Sequence, residues 1–214
     1  MEKRQMKFYS KDSNAAAIHA LPGHFATSHS HINYYIDITS LKTRINEAKE
    51  IAKVLAGKFT SHITVDTIVC MDGTEVIGAF LSEELEKRHI LSTINQHKTV
   101  YVVSPEINGN NQVMFRDNVK PAITGKHVLL LLATTTTGVT IRRSLESLHY
   151  YGGSVAGVVS VFSTIKEVEG IPVESAFEED DIPGYAAYSP TECPYCKNGQ
   201  RLEAMVNGFG YSKL

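Results

Sequence analysis

A chain of 214 residues with 43% hydrophobic side chains fits one α/β domain with appendages, since a domain near this size buries roughly 70% of its unfolded surface. Its 21 basic and 23 acidic side chains leave a formal net charge of −2, which gives no electrostatic case for nucleic acid or an anionic membrane, so any anion has to be bound locally. No run approaches the ~20 apolar residues that span a bilayer, and the amino terminus shows no apolar leader segment. The 3 cysteines are an odd number and make no disulfide framework, so a cytoplasmic protein is expected.

Residues 1–40 read as polar and irregular, with His24, His29 and His31 in GHFATSHSH followed by the strand-like Ile32 to Ile38. This segment reads as a cap, not a core. Tyr34 and Tyr35 occupy adjacent strand positions and so point to opposite faces, which lets one of them meet a ligand. A base stacked on that ring would gain about 1–3 kcal/mol, while core packing explains both rings equally well.

From Arg44 the apolar positions Ile45, Ala48, Ala52 and Leu55 form a helical stripe, and Gly57 is the expected stop. Ile63 to Cys70 reads as a strand, Met71-Asp72-Gly73-Thr74-Glu75 as a turn, and Val76, Ile77, Phe80, Leu81 and Leu85 as one face of a helix. Thr99 to Val103 is a further strand that runs into the polar stretch SPEINGNNQ, expected to be a mobile loop ahead of Val113 to Phe115.

His127 to Thr140, HVLLLLATTTTGVT, is the most informative stretch. Val128 to Leu132 is continuously apolar, as a strand buried on both faces of a parallel sheet must be. Thr134, Thr135, Thr136 and Thr137 bring hydroxyls beside backbone N–H groups, Gly138 allows a tight turn, and Val139 and Thr140 open a helix with Ile141, Leu145 and Leu148 on one face. The positive end of that helix favours an anion, so Thr134 to Thr140 form a candidate phosphate site; an ordinary strand-to-helix connection is the rival. Gly152 and Gly153 stop the helix before the strand Val155 to Phe162. Strands that alternate with helices predict a parallel sheet with ligands at the carboxyl ends of its strands.

Beyond Phe162 the chain turns polar, Glu178 to Asp181 reads as a solvated loop, and the tail carries Cys193-Pro194-Tyr195-Cys196. This is half of a zinc site, which Cys70 or histidines such as His29 and His31 would have to complete, within one chain or across a dimer; a reduced, metal-free pair is the alternative.

With these units placed, the chain resembles the type I phosphoribosyltransferases, and most of all their orotate branch. INYYID resembles the hood segment of that family, VDTIVCMDGTEVIGAFLSEEL its first strand, diphosphate loop and helix, VLLLLATTTTGVT its phosphoribosyl-diphosphate motif, and CPYCKNGQRLEA a tail found in some members. The resemblance implies a Rossmann-like parallel sheet, an N-terminal hood over 1–43, a core over 44–176, a tail over 177–214, and a homodimer. It also implies Mg²⁺-assisted transfer of ribose 5-phosphate from phosphoribosyl diphosphate to a nitrogen of a base. On it, Met71, Asp72, Gly73, Thr74 and Glu75 are the diphosphate loop, and the strand positions of Tyr34 and Tyr35 make them the expected base pocket.

The departures are specific. Two adjacent acids of the family are Leu132 and Ala133 here, the mobile-loop Lys and His have no counterpart in SPEINGNNQ, the Arg that grips orotate's carboxylate falls near Ser163 and Thr164, and the hood Lys is missing around Thr27 to His31. Two readings therefore stand side by side: a phosphoribosyltransferase, and a non-catalytic nucleotide-binding sensor or regulatory homodimer that keeps the phosphate cradle.

Overall fold

The computed structural model describes residues 4–59, 64–89, 99–110 and 112–214. Ile63 of the expected strand and Asn111 of the expected mobile loop lie outside them. The amino terminus is not irregular: β1 (Met6–Ser10), β2 (Ser13–Ala26) and β3 (His31–Asp37) form an antiparallel meander. Nor is it only a cap, because Ile18, Ala20 and Phe25 are buried in the main core.

Two helices follow, α1 (Thr39–Thr43) and α2 (Ile45–Lys58). The stripe of α2 is Ala48, Ile51, Ala52 and Leu55, while Ile45 at its first turn is exposed. Gly57 lies inside the helix, which ends at Phe59, whose N–H reaches the Leu55 carbonyl at 2.9 Å. After α2 the chain alternates: β4 (Thr67–Cys70), α3 (Glu75–His89), β5 (Tyr101–Val103), the short hairpin β6 (Glu106–Ile107) and β7 (Val113–Met114), β8 (His127–Thr135), α4 (Val139–Tyr150) and β9 (Ser154–Ser163). Two more strands close the core sheet, β10 (Glu167–Val168) and β11 (Ile171–Glu178), giving the order β10-β11-β9-β8-β4-β5. All its neighbouring pairs are parallel except β10 with β11.

The continuous apolar run of β8 now has its reason. Val128, Leu130 and Leu132 pack with Ile141, Leu145 and Leu148 of α4, whereas Leu129, Leu131 and Ala133 face α2, α3 and the amino-terminal sheet. The four leucines of β8 are fully buried, which stabilises the fold by about 1.5–3 kcal/mol per side chain.

The carboxyl-terminal tail returns to the amino terminus. β12 (Ala187–Tyr188) pairs with β3, and beyond the short helix α5 (Pro194–Lys197) β13 (Ala204–Asn207) runs parallel to β2 and turns into β14 (Gly210–Lys213). The acidic Glu179–Asp181 is a 3₁₀ turn, whose Asp181 carboxylate accepts the Glu178 N–H at 2.8 Å.

Close packing leaves a testable mark on β9. A Cβ at Gly157 would lie 2.6 Å from the Phe59 ring, so Gly157→Ala forces the ring or the strand aside and is expected to cost about 1–3 kcal/mol. Urea denaturation of the two proteins measures it, and an unchanged midpoint would contradict this packing.

Candidate functional site

β8 does not end at Leu132. Thr134 and Thr135 are its last residues, paired with Phe162 and Ser163 of β9, and Thr135 is buried. The turn proper is Thr136, Thr137 and Gly138, with Gly138 at φ 71°, a left-handed conformation that glycine adopts without strain. The chain's own donors hold this turn. Thr164 gives its N–H to the Thr135 carbonyl at 3.1 Å and its hydroxyl to the Thr136 carbonyl at 3.0 Å, and Arg142 reaches the Thr137 carbonyl at 3.0 Å. No side chain caps the start of α4, so its first N–H groups and the positive end of a 12-residue helix stay available to an anion.

Thr134 through Thr140 all line a cleft of about 350 Å³. Around them stand Tyr35 from β3, His29 from the β2–β3 turn, Arg143 from α4, Asp72 after β4, and Asn207, Gly208 and Phe209 from the tail. Of the two tyrosines, Tyr35 lines the cleft while being itself buried in the main core, and Tyr34 is half-buried against that same core and does not line the cleft. Of the expected diphosphate loop, Met71 and Asp72 reach the cleft. Thr74 is buried with its hydroxyl on the Met71 carbonyl at 2.8 Å, and Glu75 accepts the Ser104 hydroxyl at 2.6 Å.

Asp72 is the cleft's carboxylate among its described lining residues. It sits at φ 56°, before Gly73 at φ 79°, in a tight turn pressed against Gly208, where a Cβ would come within 2.6 Å of the Asp72 side chain. Burial pushes the Asp72 carboxyl above the usual carboxylate range, against the opposing pull of Lys42 and of the Ala133 N–H. Lys42, from α1, is buried too, and its amine donates to the Asp72 carbonyl at 2.8 Å and to the Gly208 carbonyl. Burial lowers its pKa, and the acids Asp72, Glu75 and Asp37 oppose that. Lys42 thus ties the turn after β4 to the turn between β13 and β14. Sequence reasoning did not find Lys42, Arg143 or Asn207 to Phe209; the signal for the last was the glycine-flanked Phe209 in NGFGYS.

Where the family has its acid pair, Leu132 and Ala133 are fully buried and offer no oxygen from their side chains. Ser163 and Thr164 spend their hydroxyls on the carbonyls of Ile165 and Thr136. Cys193 and Cys196 come together with His24 and His31, none of which lines the cleft. Cys70 is not with them: it is buried at the end of β4, where burial pushes its thiol up to about 12.

No protein-family model matches the chain. The orotate phosphoribosyltransferase of Pyrococcus horikoshii is 32% identical to it over 151 residues, covering 69% of this chain and 73% of that protein. That of Pelotomaculum thermopropionicum is 25% identical over 182 residues, 84% of this chain and 86% of the relative. Among solved structures, Mycobacterium tuberculosis orotate phosphoribosyltransferase in complex with 5-phospho-α-D-ribosyl 1-diphosphate is similar with a TM-score of 0.50 at 15% identity, over 69% of this chain and 82% of that one, a likeness of fold. Sequence identity across most of a relative and a parallel sheet with its threonine loop at the carboxyl edge agree: this chain belongs to the orotate phosphoribosyltransferase family of type I phosphoribosyltransferases.

Proposed function

We propose that the cleft holds 5-phosphoribosyl diphosphate, with the 5-phosphate at Thr134 to Thr140, and that the chain moves the phosphoribosyl group onto a ring nitrogen of a nucleobase. One observation carries this reading: the threonine loop and the uncapped start of α4 open into the same cleft as the Tyr35 ring, the Asp72 carboxylate, the His29 imidazole and the Arg143 guanidinium. The relative solved with 5-phospho-α-D-ribosyl 1-diphosphate supports the donor, and the relatives named for orotate support a pyrimidine acceptor.

In this transfer the C1–O bond to diphosphate breaks and its electron pair leaves on the diphosphate. A lone pair on the ring nitrogen forms the new N–C1 bond, and the ring proton passes to solvent. Positive charge grows on the ribose as negative charge grows on the leaving group. Our assignments are the helix start and Arg143 for the phosphate, Asp72 for the ribose hydroxyls and Tyr35 for the base. A preorganised charge stabiliser is worth roughly 3–4 kcal/mol, so with Leu132 and Ala133 in place of an acid pair a slow transfer is expected.

The family implies Mg²⁺, an ion that binds through substrate phosphates and water together with one or two protein carboxylates; Asp72 would be that carboxylate here, while Leu132 and Ala133 supply no side-chain oxygen. Two further parts of the proposal rest on the family resemblance, a homodimer and a cytoplasmic location; light scattering tests the first. Among the described residues no helix is long and apolar enough to cross a membrane.

Incubation with 5-phosphoribosyl diphosphate, Mg²⁺ and a panel of bases that includes orotate tests the function. Base-dependent release of diphosphate is expected. Tight nucleotide binding with no release for any base would contradict transfer and favour the sensor.

A further inference from the structure

We propose that His24, His31, Cys193 and Cys196 bind one structural zinc ion that staples the amino-terminal hairpin to the carboxyl-terminal tail. Their ligand atoms all lie within 4.8 Å of one another. A tetrahedron with Zn–N of about 2.0–2.1 Å and Zn–S of about 2.3 Å places its corners about 3.3–3.8 Å apart. Four of the six pairs fall in that range: His24 Nε2 lies 3.3 Å from His31 Nδ1, 3.4 Å from Cys193 Sγ and 3.7 Å from Cys196 Sγ, and Cys196 Sγ lies 3.3 Å from His31 Nδ1.

Hydrogen bonding alone does not account for this convergence. His24 is fully buried, and its Nδ1 lies 3.0 Å from the Gln200 carbonyl, a partner that can only accept. The proton therefore belongs on Nδ1, and Nε2 carries a single lone pair. Three polar atoms crowd that one lone pair; a cation among them satisfies all four groups at once. The carbonyl behind His24 is also the outer partner that a zinc-bound imidazole generally has.

The sequence builds the corners locally. β2 and β3 lose register between Pro22 and Phe25, a bulge that re-aims His24, and the Thr27–Ser30 turn, closed by Ser30 N–H on the Thr27 hydroxyl at 2.9 Å, brings His31 alongside. Cys193 precedes α5, Pro194 starts it, and Gly199 at φ 73° turns the chain away after Cys196. Both thiols give up a proton to solvent on binding, so the ion with two thiolates and two neutral imidazoles carries no net charge.

The chain next to the staple reaches the cleft: Thr27, Ser28 and His29 lie between His24 and His31, and beyond Cys196 β13 leads to Asn207, Gly208 and Phe209, all of which line the cleft. Metal analysis of protein purified without a histidine tag is expected to find one zinc per chain, retained in His29→Ala and lost from Cys193→Ser/Cys196→Ser. Because that double variant can misfold, the wild-type chain is also to be stripped and refilled with Co²⁺. Visible tetrahedral bands with thiolate-to-cobalt charge transfer, saturating at one equivalent, are expected, and chelation should speed amide exchange over 201–209. A chain that purifies without zinc and gives no such bands, or that holds a Cys193–Cys196 disulfide in place of metal, would overturn the proposal.

Discussion

Gly138→Val is expected to weaken binding of 5-phosphoribosyl diphosphate roughly a hundredfold or more. The glycine sits at φ 71°, and a Cβ there would lie 2.9 Å from Val168 Cγ2 and 3.0 Å from Ile165 Cδ1. A β-branched residue meets both obstacles, so the turn from β8 to α4 has to change shape. The N–H groups at the helix start then lose their common direction. Hydrogen bonds to a charged group contribute about 1.5–3 kcal/mol each, so misaligning two of them suffices for the stated loss. Gly170→Val separates this effect from backbone strain: Gly170 has φ 78° but open space around it and lies outside the cleft. It should lower stability and leave the affinity intact. Calorimetric titration of both variants decides, and undiminished affinity in a folded Gly138→Val protein would remove the phosphate site from this turn.

Asp72→Asn is expected to slow diphosphate release by roughly 100- to 1000-fold, the cost of removing one preorganised charge stabiliser, about 2.7–4 kcal/mol, while binding of the donor changes little. Asn is the least disruptive replacement, because it tolerates the positive φ and its side-chain oxygen still accepts the Ala133 N–H. The pH dependence follows from the direction of the Asp72 shift. Its pKa is raised above the ordinary 3.8, chiefly by burial, so the carboxylate that the transfer needs forms only as the pH rises through that raised value, and the rate should rise with it. Stability moves the other way. A carboxyl that holds its proton more tightly when folded contributes stability at low pH, and that contribution is lost as the pH rises through the folded pKa. Rate and denaturation profiles of the wild type and Asp72→Asn check both signs. A variant with the wild-type rate would strip Asp72 of its role.

The unit from β8 to β9 was legible because every constraint on it is local. An uninterrupted apolar run demands a strand covered on both faces, Ile141, Leu145 and Leu148 recur at helical spacing, and Gly138 and Gly152 stand where positive φ is needed. Its one error, the end of β8, arises because Thr134 and Thr135 pair with β9 through backbone groups that side-chain pattern does not report. The amino-terminal sheet was not legible. β2 mixes small alanines with Pro22 and Gly23, and its bulge interrupts alternation. Its partner β13 lies far away in sequence, with Ala204 opposite Phe25. The same distance hid the tail's share of the cleft, and it hid His24 as the partner that joins the expected His31 at the cysteines. His29, also offered as a ligand, faces the cleft, whereas His24 is aimed at Cys193 by a bulge.

The proposed phosphate site lies where β8 passes into α4. A crystal structure of the chain soaked with 5-phosphoribosyl diphosphate tests it most directly. The 5-phosphate is expected within hydrogen-bond distance of the backbone N–H groups between Thr136 and Thr140, with the ribose toward Asp72. Density for the ligand elsewhere, or a turn that stays free of phosphate at saturating concentration, would contradict it.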